Sequence, residues 1–299
     1  MALKSKHELD PCVGTILSTY LREHVDTSVV AYERQYDCDR PLRTFFGGMK
    51  PRDVTMTQTL AYYNKRKAGL IPHIPSTAGD ATIRRELGML RAAINYNIKC
   101  GYLPPDSLRH MFMPPPPAPK SLYLTKEQLA MVLDEARAIG GHTYTFVMIA
   151  AYTASRRGAI ENLEWSRVNM ASRVINFDDG SKKTKKRRVS VPMNDALFSF
   201  MVMHRALHPD DTDVIRDRPE MGRRFRALCD RLSEKHPEHK AVWAAMTPHT
   251  LRHTWASLAA QSGVSMFDIA GVLGDSVQTV ISVYAHHSPS HLRTAVSFL

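Results

Sequence analysis

The chain has 299 residues, 43% of them hydrophobic, which is enough for two domains of ordinary size and too apolar for a disordered polymer. Forty Lys and Arg against 29 Asp and Glu leave a formal charge of +11, a balance that favours a polyanionic partner. No apolar run approaches the roughly twenty residues that span a bilayer, and MALKSKHELDPCVG lacks the apolar core of a signal peptide, so a cytoplasmic protein without a membrane partner is expected.

From the N-terminus, the first stretch reads as helical. Ile16, Leu17, Tyr20 and Leu21 share one helical face, and residues 57–67 suit a second helix. Residues 80–100 carry the strongest signal, because Ile83, Leu87, Leu90, Ile94 and Ile98 fall on one stripe at helical period. Arg84, Arg85 and Arg91 lie beside or opposite that stripe, each either part of a solvated basic face or a nucleic-acid contact. Cys12, Cys38, Cys100 and Cys229 are scattered without a C-x-x-C pair. Such spacing supports neither a zinc site nor a disulfide framework and leaves them as reduced structural thiols.

The clearest boundary is the run Met113-Pro114-Pro115-Pro116-Pro117-Ala118-Pro119-Lys120. Consecutive prolines cannot donate backbone hydrogen bonds and favour extended geometry, so residues 113–120 read as a semi-rigid linker between units 1–112 and 121–299. The second unit opens on Thr125, with Gln128 three residues later, a capping-box pattern. Leu129, Val132, Leu133 and Ala136 continue that helix, and residues 144–152 form a second, buried one. Two β-like runs follow, Arg173-Val174-Ile175-Asn176-Phe177 and Arg188-Val189-Ser190-Val191-Pro192, with the turn signal Asp178-Asp179-Gly180 between them. The remainder, from Asn194 onward, is mostly helical. The expected class is therefore mainly α with one small β-hairpin or sheet.

Several positions can carry phosphate chemistry. Lys182, Lys183, Lys185, Lys186, Arg187 and Arg188 crowd the hairpin, where they form either a solvated strip or a tip able to reach a DNA groove. Arg156 follows an apolar helix at an abrupt Thr-Ala-Ser junction. His249 and Arg252 are three apart, hence on one helical face, and such a pair can grip one phosphate. Tyr284, one or two helices further on, offers a nucleophilic hydroxyl.

The string from Thr153 to Trp165 resembles the first box of the tyrosine recombinases, or phage integrase family, T-G-x-R-x-x-E-(I/L)-x-x-L-x-W, at Thr153, Arg156, Ile160, Leu163 and Trp165. The family's second box, H-x-L-R-H-(T/S), is similar at His249, Leu251, Arg252, His253 and Thr254, and Leu273-Gly274, Tyr284 and His286 follow its third. The resemblance covers about residues 121–290, and with a weaker signal the N-terminal unit resembles the family's helical core-binding domain. It implies an α+β catalytic domain and a site-specific recombinase that needs neither metal, ATP nor another cofactor. By position, Tyr284 resembles the nucleophile that forms a 3′-phosphotyrosyl link, and Arg156 and Arg252 the pair that clamps the non-bridging oxygens. His249 resembles a phosphate donor and proton-transfer partner for the tyrosine, and Lys183 the lysine that protonates the leaving 5′ oxygen. The partners implied are double-stranded DNA gripped from opposite faces by the two units, further copies of the chain in a tetramer on two duplexes, and accessory DNA-bending proteins. A nucleoid-associated location follows.

Two positions depart from the pattern. Asp275 stands where a histidine or tryptophan usually donates to the phosphate. A carboxylate there repels the phosphate unless it is protonated or turned toward Arg156 or Arg252, so Asp275 is expected to act indirectly, orienting an arginine. Ala159 replaces an acidic residue, for which Glu161 is the nearest substitute. Counting back from Pro192, the lysine interval falls on Thr184, which leaves Lys183 with Lys185 as the alternative. Three rival readings remain: a metal site on His249 and His253, a DNA-binding protein that has lost the chemistry, and a type IB topoisomerase. A terminal helix over residues 288–299, with Leu292, Ala295, Val296, Phe298 and Leu299, would dock on a neighbouring protomer or on its own domain.

Overall fold

The computed structural model describes residues 11–29, 32–116, 122–180, 189–216 and 220–287. The chain divides into two compact units, Met1–Ala118 and Pro119–Leu299.

In the first unit, α1 (Val13–Tyr20) continues through a π-helical segment, Leu21–Val25, into a single turn, α2 (Asp26–Ser28). The helices α3 (Glu33–Phe46), α4 (Met56–Lys67) and α5 (Asp80–Lys99) follow. The stripe on α5 is the spine of this core: Ile83, Leu87, Leu90 and Ile94 are fully buried against Ile16, Leu17, Leu42 and Phe46, with Ile98 at the margin. Helix α3 was not foreseen from the sequence, because Pro41 interrupts it and its apolar positions are sparse. Pro41 is nevertheless buried within it.

Polar groups inside this unit are paired. Arg66 of α4 donates to Glu86 of α5 from Nε at 3.2 Å and Nη2 at 3.1 Å, and from Nη1 to the Ser76 carbonyl at 2.5 Å. The Tyr62 hydroxyl donates to the other Glu86 oxygen at 2.7 Å. Burial and the adjacent carboxylate hold that phenol far above its ordinary pKa, so it stays a donor. The network ties α4, α5 and the irregular segment 68–79 together.

The second unit begins with α6 (Lys126–Ile139), closed by the anticipated capping box: Gln128 N donates to Thr125 Oγ1 at 3.2 Å and Thr125 N to Gln128 Oε1 at 3.0 Å. Helix α7 (Gly141–Thr153) is apolar on nearly every side and packs against α6 and the helices that follow, the mark of a central helix. After α8 (Arg157–Glu161) come β1 (Val168–Asn169), β2 (Val174–Asn176) and β3 (Ser190–Pro192), antiparallel in that order. The anticipated hairpin is β2–β3, with Ile175 opposite Val191. Strand β1 is additional, and its two residues are too short for any alternation to reveal it. The hairpin residues Lys182, Lys183, Lys185, Lys186, Arg187 and Arg188 lie outside the described residues, as do residues 288–299.

The chain ends its described part with α9 (Asp195–Leu207), α10 (Met221–Lys235), α11 (Lys240–Ala245), α12 (Pro248–Gln261), α13 (Met266–Leu273) and α14 (Val277–Tyr284). The buried Glu135 carboxylate of α6 accepts from Arg231 at 2.6 Å and Lys235 at 2.8 Å, binding α6 to α10. Leu124 N donates to the buried Thr254 Oγ1 at 2.9 Å and so anchors the start of this unit on α12. Cys38 and Cys229 are buried free thiols, whereas Cys100 is exposed and Cys12 half-buried. No single helix among the described residues is long and apolar enough to cross a membrane.

Glu86→Ala strands the Arg66 guanidinium in the core of the first unit. The expected cost is about 3–5 kcal/mol, read as a lower urea midpoint, and an unchanged midpoint would contradict the structural role assigned to the pair.

Candidate active site

Three chain reversals converge on Arg252. The first ends α7, where Thr153 turns its hydroxyl back to the Ile149 carbonyl at 2.7 Å and Ala154 adopts a left-handed conformation with φ of 53°. Ala154 occupies the glycine position of the first box, and a Cβ in that region costs roughly 1–2 kcal/mol. The strained turn presents the Ala154 carbonyl, which accepts from Arg252 Nη1 at 2.9 Å. It also directs Arg156, the residue before α8, toward the same place.

The second reversal ends α13. Gly274, at φ of 63°, allows Asp275 N to reach the Ala270 carbonyl at 3.3 Å and Gly274 N the Gly271 carbonyl at 3.3 Å, a Schellman closure. Ser276 immediately caps α14, accepting from Thr279 N at 3.1 Å. Asp275 is therefore pinned between a C-cap and an N-cap. The third is the start of α12, where Pro248 occupies the first turn and Thr247 N donates to Thr250 Oγ1 at 3.0 Å. One turn later Arg252 points inward, almost fully buried.

Asp275 bridges the two arginines. One carboxylate oxygen accepts from Arg156 Nη2, and the other accepts from Arg252 Nη2 at 2.5 Å, while that same Nη2 also donates to the Leu273 carbonyl at 2.8 Å. Burial and the neighbouring Arg156 charge pull the Arg252 pKa below its ordinary value, with Asp275 acting in the opposite sense. Two guanidiniums thus converge on one anion, here a carboxylate whose paired oxygens present the same acceptor geometry as two oxygens of a phosphate.

Tyr284 closes the site from the last turn of α14. It belongs to a small core with Ala154, Ala256, Ala260, Ile269, Ala270, Leu273 and Val280, in which alanines let α12 and α13 approach closely. Its hydroxyl lies 2.7 Å from Nδ1 of His253, and burial pushes its pKa up to about 12 against the opposing field of Arg252. His253 is held below its ordinary pKa by burial first and by Arg252 second. His249, one turn earlier, packs edge-on against it with ring centroids 4.6 Å apart.

Arg156, Arg252, Asp275 and Tyr284 thus share one site, with His249 beside it. Lys183 and its basic neighbours fall outside the described residues. Asp275 turns toward both arginines rather than one. Glu161 accepts from Arg157 at 2.6 Å, so the nearest substitute for the missing acid is engaged elsewhere. The histidine that touches the phenol is His253, which the sequence offers only as a second-box residue and as half of a rival metal site with His249, the i+4 spacing placing both on one helical face. His286 and His287 form a short helical turn with ring centroids 3.9 Å apart. No group of three or more His, Cys, Asp or Glu side chains suited to a metal ion occurs among the described residues.

Comparison with known proteins places this geometry. A family model described as the phage integrase family matches residues 122–291. The integrase of Salmonella phage P22 is 24% identical over 301 residues, covering 88% of this chain and 74% of its own. The tyrosine recombinase XerC of Chlamydia muridarum is 23% identical over 228 residues, covering 73% and 71%. Among solved structures, the Tn1549 transposon integrase in complex with a circular intermediate DNA superposes with a TM-score of 0.77 at 16% identity, covering 97% of this chain and all of the other. A lambda integrase tetramer bound to a Holliday junction gives 0.68 at 12% identity, covering 94% and 79%. At these identities the structural likeness speaks for the fold.

Asp275→Asn leaves two guanidiniums facing each other without a counter-charge. Because the carboxylate keeps 28% of its side chain exposed, the expected loss is about 1–3 kcal/mol, less than for a fully buried pair. Added sulfate should recover more stability in the variant than in the wild type, measured by thermal unfolding; equal stability of the two proteins would contradict the bridge.

Proposed function

The chain belongs to the phage integrase family, the tyrosine recombinases, and on that premise we propose that it cleaves and rejoins DNA at a specific site through a covalent link between Tyr284 and a 3′ phosphate. The observation that carries this reading is the convergence of Arg156 and Arg252 on a single anion beside Tyr284.

In the proposed reaction the scissile phosphate takes the place of the Asp275 carboxylate between the guanidiniums. Negative charge grows on the non-bridging oxygens as the tyrosine oxygen attacks, and fixed donors already oriented toward that position stabilise it without reorganisation. Arg252 is preorganised by its two backbone carbonyl acceptors, Ala154 and Leu273. His249 supplies a further donor to the phosphate, and Asp275 keeps the two arginines together until DNA arrives. Lys183, with Lys185 as the alternative, protonates the departing 5′ oxygen. Lys182, Lys186, Arg187 and Arg188 hold the neighbouring backbone. The covalent intermediate retains the free energy of the broken phosphodiester, so a second 5′ hydroxyl can displace the tyrosine without ATP or metal.

For the remainder of the chain, residues 1–112 act as the helical core-binding domain, 113–120 as the linker and 121–299 as the catalytic domain. The Tn1549 and lambda integrase structures contain DNA, the latter as a tetramer on a junction, and these support double-stranded DNA and a homotetramer on DNA as partners here. Accessory DNA-bending proteins and a nucleoid-associated, cytoplasmic location complete the proposal.

Incubation with a nicked suicide substrate carrying the chain's own attachment sequence should yield an SDS-resistant protein–DNA adduct, unaffected by EDTA and absent in Tyr284→Phe. Arg156→Lys should cleave about 10²–10³-fold more slowly. An adduct that survives Tyr284→Phe would refute the nucleophile. Binding should fall by about 10³–10⁵ between roughly 50 and 200 mM salt if six to ten phosphates are contacted, measured by fluorescence anisotropy. A flat salt response would argue against a phosphate-gripping surface.

A further inference from the structure

We infer that His253 is the general base for Tyr284, accepting the phenolic proton at Nδ1 as the tyrosine oxygen attacks phosphorus. The inference rests on the strand-transfer reading above and moves to His253, the histidine that meets the phenol, the proton transfer that the family resemblance suggests for His249.

Geometry is the first support. The phenolic oxygen lies 2.7 Å from His253 Nδ1, within the range in which a positioned side chain takes a proton from a reacting group. Both partners sit on regular helices, α12 and α14, which pack against each other directly. The pair is therefore held by the fold rather than by a loop. Tyr284 is only 6% exposed, so little of the phenol faces water as a competing acceptor.

The charges nearby leave His253 as the suitable base. Asp275 is the adjacent carboxylate, but each of its oxygens accepts from an arginine. Burial and the Arg252 charge hold the His253 pKa below its ordinary value, which favours the neutral imidazole. Acceptance of the phenolic proton at Nδ1 uses the neutral tautomer that carries its own proton on Nε2. Burial raises the phenol to about 12 and lowers the imidazole, so transfer before attack is strongly disfavoured. Transfer must therefore accompany bond formation.

The step balances without a co-reactant. The bond from the tyrosine oxygen to phosphorus forms, the bond from phosphorus to the 5′ oxygen breaks, and the phenolic proton moves to His253. The 5′ oxygen receives a separate proton and departs as a hydroxyl. In the reverse step a 5′ hydroxyl attacks the phosphotyrosine and gives its proton back to the lysine that supplied it in the forward step, while the His253 imidazolium returns its proton to the leaving phenolate. Asp275 favours that imidazolium and Arg252 opposes it. Among the described residues, His249 on its own helix and Tyr284 from α14 contact the His253 ring, and His286 and His287 lie on the turn that packs against α12.

His253→Asn separates a base from a mere tether, because the asparagine carbonyl oxygen can occupy the Nδ1 position and accept the same hydrogen bond without taking the proton. Cleavage of a suicide substrate would be followed against pH for the wild type and for His253→Asn, with DNA affinity measured in parallel. The wild-type rate should fall as pH drops through the lowered pKa of His253, where the imidazole becomes protonated. The variant should bind DNA normally, cleave about 10²–10⁴-fold more slowly at neutral pH and lack that acid limb. Its rate should rise toward high pH as the tyrosine ionises unaided. Imidazole added to His253→Ala should restore part of the rate. A variant asparagine protein that cleaves within a few-fold of wild type, or keeps the acid limb, would overturn the assignment while leaving Tyr284 as nucleophile. A wild-type protein without an acid limb would overturn it even if neither variant folded. Absence of any wild-type adduct would overturn the strand-transfer reading itself.

Discussion

Two guanidiniums, Arg156 and Arg252, must be held side by side, although unit charges about 4 Å apart repel by roughly 4 kcal/mol at an effective dielectric constant near 20. Asp275 offsets that repulsion with one carboxylate oxygen for each arginine. The three residues come from three separate places in the chain: the turn after α7, the buried face of α12 and the turn between α13 and α14. Each turn has its own cause, a left-handed Ala154 in one case and the Gly274 Schellman closure with the Ser276 cap in the other. The carbonyls these turns expose then fix Arg252, which donates from Nη1 to Ala154 and from Nη2 to Leu273. The clamp and the helix termini that frame it are therefore one construction.

The same construction governs Tyr284. The alanine-rich core that brings α12, α13 and α14 together also buries the phenol and raises its pKa to about 12. A buried neutral tyrosine is a weak nucleophile until a base and an electrophile are both in position. In the proposed reaction this gives a resting state in which an internal carboxylate fills the anion site and the nucleophile is fully protonated. Reactivity then depends on a phosphate arriving between the arginines.

Much of this was legible in the sequence, for identifiable reasons. The stripe Ile83, Leu87, Leu90, Ile94 revealed α5 because helical period survives without any tertiary information, and Thr125 with Gln128 marked the start of α6 because capping is local. Arg156, Arg252 and Tyr284 were legible together because the boxes that hold them resemble those of the tyrosine recombinases. Helix α3 escaped because Pro41 reads as a breaker, and β1 because two residues show no pattern. Glu161 looked like a substitute acid by proximity alone, yet its carboxylate is taken by Arg157 four residues back along α8.

The amino-acid order alone determined which residues carry charge and where the strongly periodic helices and their caps lie, since these follow from local sterics, capping and hydrophobic period. It also made the anomaly at Asp275 visible. Only the tertiary structure decided what that anomaly does and which histidine meets the phenol. His249 and His253 lie four apart on one helical face, and nothing in their spacing distinguishes them. The packing of α14 on α12 brings the Tyr284 hydroxyl to Nδ1 of His253, because contact between helices depends on how their faces meet in space and not on separation along the chain.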